Sequence, residues 1–197
     1  MITTEQIKEL REQTGISVMQ CKKALEEAEG DIAKAELILK KKGKEIASKK
    51  SGRGLGAGTI AAYIHGNGNI GAMVELSCET DFVAKNEEFK KLAYDIAMHV
   101  AASAPEFNSY EDISSEEKEK LAELFSKDVE ESGKSDEIKK KMLDGRLDSY
   151  FKERTLFEQP FVKDSSTTIK ELVEGATQKF GERIQITKFI RFSVSEK

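Results

Sequence analysis

Apolar positions recur at helical spacing through the first forty residues, and the period switches to strand-like alternation after residue 58. Thr3-Thr4-Glu5-Gln6 has capping-box spacing, in which a hydroxyl and a glutamine satisfy orphan amides at a helix start. Ile7 and Leu10 follow at helical spacing, and Gly15 suits a left-handed stop. Ser17-Val18-Met19-Gln20 repeats the capping box ahead of Ala24, Leu25 and Ala28. Gly30 ends this second helix, and Asp31 caps a third that carries Ile32, Ala35, Ile38 and Leu39. Helices this short are marginal alone, so residues 1–41 are expected to pack as a compact three-helix module.

The next stretch changes character. Lys40 to Arg53 holds seven basic residues and a single acid, and Gly52, Gly54, Gly56 and Gly58 come at its end. Residues 42–56 therefore read as a linker, partly helical and then flexible. Its lysines could each neutralise a phosphate. No aromatic is interleaved for stacking, however, and a solvated linker is the favoured reading. The glycines do not make a phosphate loop: they precede a strand, and no Gly-Lys-Ser/Thr closes them.

Residues 57–197 mix strands and helices. Thr59 to His65 and Ile70 to Leu76 are β-type runs joined by Gly66-Asn67-Gly68-Asn69, which predicts a hairpin. From Asn86 a helical stripe of Phe89, Leu92, Ala93, Ile96, Ala97 and Val100 runs until shortly before Pro105. A charged helix with Leu121, Leu124, Phe125 and Val129 opens at Ser114, and another spans Asp136 to Phe151. Thr168-Ile169-Lys170-Glu171 caps a further helix ending near Gly181. Ile184 to Val194 alternates as a last strand, with a slip around Lys188-Phe189. The pattern predicts an α+β core, a small antiparallel three-stranded sheet covered by helices.

Composition narrows the function. Of 197 residues, 38% are hydrophobic and 35% charged, so a core can form under a heavily charged surface. The net charge of −4 argues against a global field that attracts nucleic acid. No run approaches the roughly 20 apolar residues that span a bilayer, and the start lacks a basic region followed by an apolar run. With two separated cysteines, Cys21 and Cys78, this suggests a cytoplasmic protein. The histidines, His65 and His99, form no metal-ligand spacing, and no GxSxG elbow occurs. Cys78 has no base beside it in the sequence and reads as a buried, inert thiol. No catalytic residue, metal or cofactor is expected.

Residues Leu10 to Leu25, LREQTGISVMQCKKAL, closely resemble the N-terminal signature of the elongation factor Ts family. Glu75 to Asn86, ELSCETDFVAKN, resembles a second signature. Ile96 to Ala102, Gln159 to Asp164 and Phe189 to Phe192 resemble further stretches, in the family's order across nearly the whole chain. Gln20 stands where the family commonly has aspartate, and Ser77 where asparagine is usual. The core looks abbreviated, as if two related subdomains of longer members were condensed into one. The resemblance implies a guanine-nucleotide exchange factor for elongation factor Tu. A module similar to ubiquitin-associated domains would dock on that partner through Val18, Met19 and Lys22. Thr80, Asp81, Phe82 and Val83 would intrude near the partner's magnesium site, and His99 is a candidate partner contact. Short members tend to dimerise through the core, which gives a two-plus-two complex. By residue type alone, Asp81 would cap a helix and Phe82 would fill the core; the resemblance implies an exposed acid and an aromatic wedge instead.

Overall fold

A computed structural model of the chain describes residues 2–130 and 133–194. Residue 1, residues 131–132 and residues 195–197, which include the outer ends of the segments 1–41 and 57–197, lie outside the described residues.

Three helices open the chain: α1 (Thr4–Thr14), α2 (Val18–Glu27) and α3 (Ile32–Lys50). Thr3 and Gln6 form the expected reciprocal capping box, and Gly15 ends α1 at φ +67°, where a Cβ would be strained. At α2 the expected box is half made. Ser17 accepts from the Gln20 amide, but the Gln20 side chain turns away to accept a 2.8 Å hydrogen bond from Gln178 on α8 (Ile169–Phe180). Leu10, Ile16, Cys21, Ala24, Leu25, Ala35 and Leu39 close a small core among the three helices.

The segment expected to be a linker from residue 42 is helical as far as Lys50. The reason is a stripe hidden among the lysines. Leu39, Gly43, Ile46 and Ala47 share one face at spacings of three and four, and that face lies against α8. A Cβ on Gly43 would stand 2.9 Å from Oε1 of Gln178. The glycine costs the helix roughly 1 kcal/mol relative to alanine and in return admits this close approach. Between the module and the core an open cleft of about 750 Å³ remains, floored by Ile16, Leu39, Leu92, Phe161 and Leu172.

In the core, β1 (Ala57–His65) and β2 (Ile70–Cys78) form the expected hairpin, and β5 (Gln185–Ser193) pairs antiparallel with β2 to give the order β1-β2-β5. The expected slip in the last strand is a β-bulge: Glu75 pairs with Lys188 but Leu76 pairs with Ile186, leaving Thr187 as the extra residue. The bulge inverts the in–out phase, so Ile184 and Ile186 point inward before it while Ile190 and Phe192 point outward after it. One sheet face packs on α5 (Glu87–Ser103), where Phe89, Ala93, Ile96, Ala97 and Val100 are buried. α8 adds Ile169, Val173 and Ala176 to the same core. α4 (Asp81–Ala84) is a single turn after β2. α6 (Ser115–Glu130) and α7 (Asp136–Arg154) form a helical hairpin stitched by an Arg146–Asp128 ion pair. A two-stranded hairpin of β3 (Pro160–Phe161) and β4 (Asp164–Thr168) was not legible in the sequence, because its residues neither alternate nor form an apolar run.

Candidate functional site

The strand β2 leaves the sheet at Cys78, and the chain turns through Glu79 and Thr80 into α4. Thr80 has the extended geometry of an N-cap, yet its hydroxyl does not cap α4; it donates to the Glu182 carboxylate at 2.6 Å. Val83 is 4% exposed and joins the core. Between these two anchors, Phe82 is 82% exposed. The reading from residue type alone, in which Phe82 fills the core, is thereby excluded. Asp81 also faces solvent, 2.5 Å from Nζ of Lys85 one turn on. The Lys85 hydrogen bond and charge hold its carboxyl below the usual aspartate range. An exposed pair of this kind is weak, so Asp81 can exchange Lys85 for another donor at little cost. An apolar ring and an acid thus stand together on a corner fixed at both sides. Below them Cys78 is buried and donates to the Thr80 carbonyl at 3.2 Å; burial pushes its thiol up, which makes it a poor nucleophile.

In the module, Val18 and Met19 open the first turn of α2 and are 53% and 69% exposed, with Lys22 one turn later in a loose ion pair with Glu26. Leu37 on α3 is 66% exposed, a surface apolar group that helical spacing did not single out because it lies outside the Ala35–Leu39 stripe.

His99 lies elsewhere, fully buried, and so is not available as a surface contact. Its Nδ1 accepts from the Val162 amide at 3.2 Å, which leaves the proton on Nε2, facing Oε1 of Gln159 at 2.9 Å. Gln159 in turn donates to the carbonyls of Ser103 and Glu153. Burial lowers the pKa of His99 from the ordinary 6.5, so the folded state keeps it neutral. The unfolded chain takes up this proton first. The stability contributed by neutral His99 is therefore whole above about pH 6.5 and is lost as pH falls toward the depressed folded value. The urea midpoint should fall between about pH 7 and pH 5. The drop should be smaller in His99→Gln; equal drops in both proteins would remove this assignment.

The basic run is largely engaged within the fold. Lys42 pairs with Glu27 at 2.6 Å, Lys40 with Glu36, and Arg53 with Glu79, and Lys50 donates to the Gly181 carbonyl at 2.7 Å. Both departures from the family pattern also have partners: Gln20 bonds Gln178, and the Ser77 hydroxyl lies 2.6 Å from that of Thr187 at the bulge.

Among the described residues nothing covers the second face of the sheet. By register, Ala62, Met73 and Ile190 form one apolar row and Ile64, Gly71 and Phe192 the next, while the row ahead of them joins Ile60 to the charged Glu75 and Lys188. Ile60, Ile64, Met73, Ile190 and Phe192 are all exposed. Among the described residues no group of histidine, cysteine or acidic side chains could hold a metal ion, and no helix is long and apolar enough to cross a membrane.

A family model described as Elongation factor TS matches residues 5–196. A protein of Carboxydothermus hydrogenoformans called Elongation factor Ts is 49% identical over 196 residues, covering 100% of this chain and 90% of the relative. Proteins of the same name from Thermosipho melanesiensis and Coprothermobacter proteolyticus are each 45% identical, the former over 100% of both chains and the latter over 99% of both.

Proposed function

The chain belongs to the elongation factor Ts family, and we propose that it is the guanine-nucleotide exchange factor of elongation factor Tu in translation elongation, binding the GDP-bound form in the cytoplasm and promoting GDP release. The observation that carries the mechanism is Phe82, 82% exposed between the anchored Thr80 and Val83. GDP is held in a GTPase by backbone amides, a lysine and Mg²⁺ around its phosphates, so release needs a local distortion of that nest and loss of the ion. Phe82 acts as an apolar wedge between packed elements of the partner. Asp81 releases Lys85 and bonds partner groups, holding the shifted geometry. Thr80 and Val83 keep the corner rigid, so that the partner deforms rather than the tip.

The three-helix module, residues 1–41, supplies affinity through Val18, Met19 and Lys22, and the core, residues 57–197, carries the tip. Leu37 adds apolar surface to the module. His99 enters only by bracing the Gln159–Val162 segment from within. No covalent step is needed, and neither a bound metal nor direct nucleic-acid contact forms part of the reading. Two copies join through the uncovered sheet face, giving a two-plus-two complex with the partner.

The test is the release rate of a fluorescent GDP analogue from elongation factor Tu. Saturating amounts of the chain should accelerate release by on the order of 100-fold, toward the upper end of couplings between linked sites. A folded sample that leaves the rate unchanged defeats the proposal.

A further inference from the structure

Two chain segments distant in sequence are locked across the base of the tip. Glu182 lies in the turn after α8, directly beyond Gly181, which ends the helix at φ +71°. Both of its carboxylate oxygens are used. One accepts the backbone amides of Glu79 and Thr80 at 3.1 and 3.0 Å, and the other accepts the Thr80 hydroxyl at 2.6 Å. The lock is reciprocal, since the Glu79 carboxylate accepts the Arg183 amide at 2.6 Å and the Arg53 guanidinium at 3.3 Å. That hydrogen bonding holds the Glu79 carboxyl below the usual glutamate range, the Arg183 amide being the first cause.

The pairing of β1 with β2 ends at Ala57 and Cys78, so the amides of Glu79 and Thr80 have no strand partner beyond it. Glu182 takes the place of a neighbouring strand. The same three-residue turn also grips the exit of the N-terminal module: Lys50 donates to the Gly181 carbonyl, and the Arg183 guanidinium donates to the Arg53 carbonyl.

We propose that Glu182 is a positioning residue for exchange: it clamps the backbone of Glu79 and Thr80 so that Phe82 and Asp81 meet the partner at a fixed angle to the docking module. This rests on the exchange reading above and adds to it a residue outside the tip. Removing the carboxylate frees two amides and a hydroxyl to water at a half-exposed place. The neighbouring core residues Cys78, Val83 and Ile184 keep their apolar packing, so the fold persists and the tip swings. A misplacement of about 1 Å at a working group can cost on the order of 100-fold in rate. Docking through Val18, Met19 and Lys22 does not use this clamp, so affinity and maximal rate should separate.

The experiment titrates full-length wild type, Glu182→Ala, Glu182→Gln and Ser77→Ala against elongation factor Tu loaded with the fluorescent GDP analogue. Glu182→Ala should lower the maximal release rate by about tenfold or more while the half-saturating concentration stays within about threefold. Glu182→Gln, whose amide oxygen can still accept the two backbone N–H groups, should recover most of the loss. Ser77→Ala, which removes the nearby Ser77–Thr187 bond without touching the clamp, should release at the wild-type rate. Hydrogen exchange at the amides of Glu79 and Thr80 should quicken in Glu182→Ala and not in Ser77→Ala. A Glu182→Ala protein with wild-type maximal rate, or one matched in its loss by Ser77→Ala, overturns the inference while the exchange reading stands. An inactive wild type overturns the exchange reading itself, and the hydrogen-exchange comparison then still reports whether the clamp exists.

Discussion

Phe82→Ala should cut the maximal rate of GDP release from elongation factor Tu by about 30-fold, which corresponds to roughly 2 kcal/mol for truncating one central apolar anchor of an interface. The expectation follows from how the side chain is held. Phe82 contributes almost nothing to the core, being 82% exposed, so its removal should leave the thermal midpoint close to wild type. What it loses is a rigid aromatic surface presented by a corner whose other members are tied down. Thr80 is bonded to Glu182, Val83 is buried, and Asp81 is paired to an exposed lysine. Lys139→Ala on the α6–α7 hairpin serves as the comparison and should leave the rate unchanged. Equal losses in the two variants would discard the wedge.

The second large effect concerns assembly. Phe192→Lys should convert the protein from two copies to one at micromolar concentration, read as a halved mass by sedimentation. Sheets that pack face to face lie about 10 Å apart and interdigitate their inner side chains. The rows Ala62–Met73–Ile190 and Ile64–Gly71–Phe192 offer such a surface on one face, with α5 already covering the other. Phe192 is 62% exposed and stands on an edge strand beside the flat gap at Gly71, over which the Ile64 side chain leans. In a two-fold interface each substitution counts twice. A loss of about 2 kcal/mol per copy therefore raises the dimer dissociation constant by roughly a thousandfold. A wild-type protein that sediments as a single copy at all concentrations, or a variant that associates as well as wild type, would remove this interface.

Local chemistry made much of the fold readable. The Thr3 and Thr168 capping boxes, the left-handed Gly15, the helix end near Gly181, the Gly/Asn turn between β1 and β2, and the phase slip near Lys188 each act over a few residues and appear where the sequence pattern places them. The failures came where a distant partner decides. Gln20 abandons its capping role because Gln178 offers a better-placed donor. The lysine-rich stretch after residue 40, read as partly helical, stays helical to Lys50 where Gly43 fits against α8, a contact that composition does not reveal. His99 sits in an apolar stripe, and its burial depends on Gln159 and Val162, which come from a loop some sixty residues later.

The tip itself shows the same division. Thr80-Asp81-Phe82-Val83 resembles a family signature, yet its residue types alone point to a capped helix and a filled core. Phe82 faces outward where Val83 takes the buried position and Glu182, from the far end of the chain, bonds the turn. Glu182 had no signal of its own, being one acid among many on a charged surface.

On the proposed mechanism the tip couples the binding of this chain to the loss of nucleotide from its partner. Linkage requires that GDP weaken binding of the chain by the same factor by which the chain weakens GDP. The most direct measurement is the dissociation constant between the chain and elongation factor Tu, with and without saturating GDP, for wild type and Phe82→Ala. GDP should weaken wild-type binding by on the order of 100-fold and weaken Phe82→Ala binding far less. A variant that keeps the full wild-type ratio would mean that the coupling resides elsewhere in the molecule.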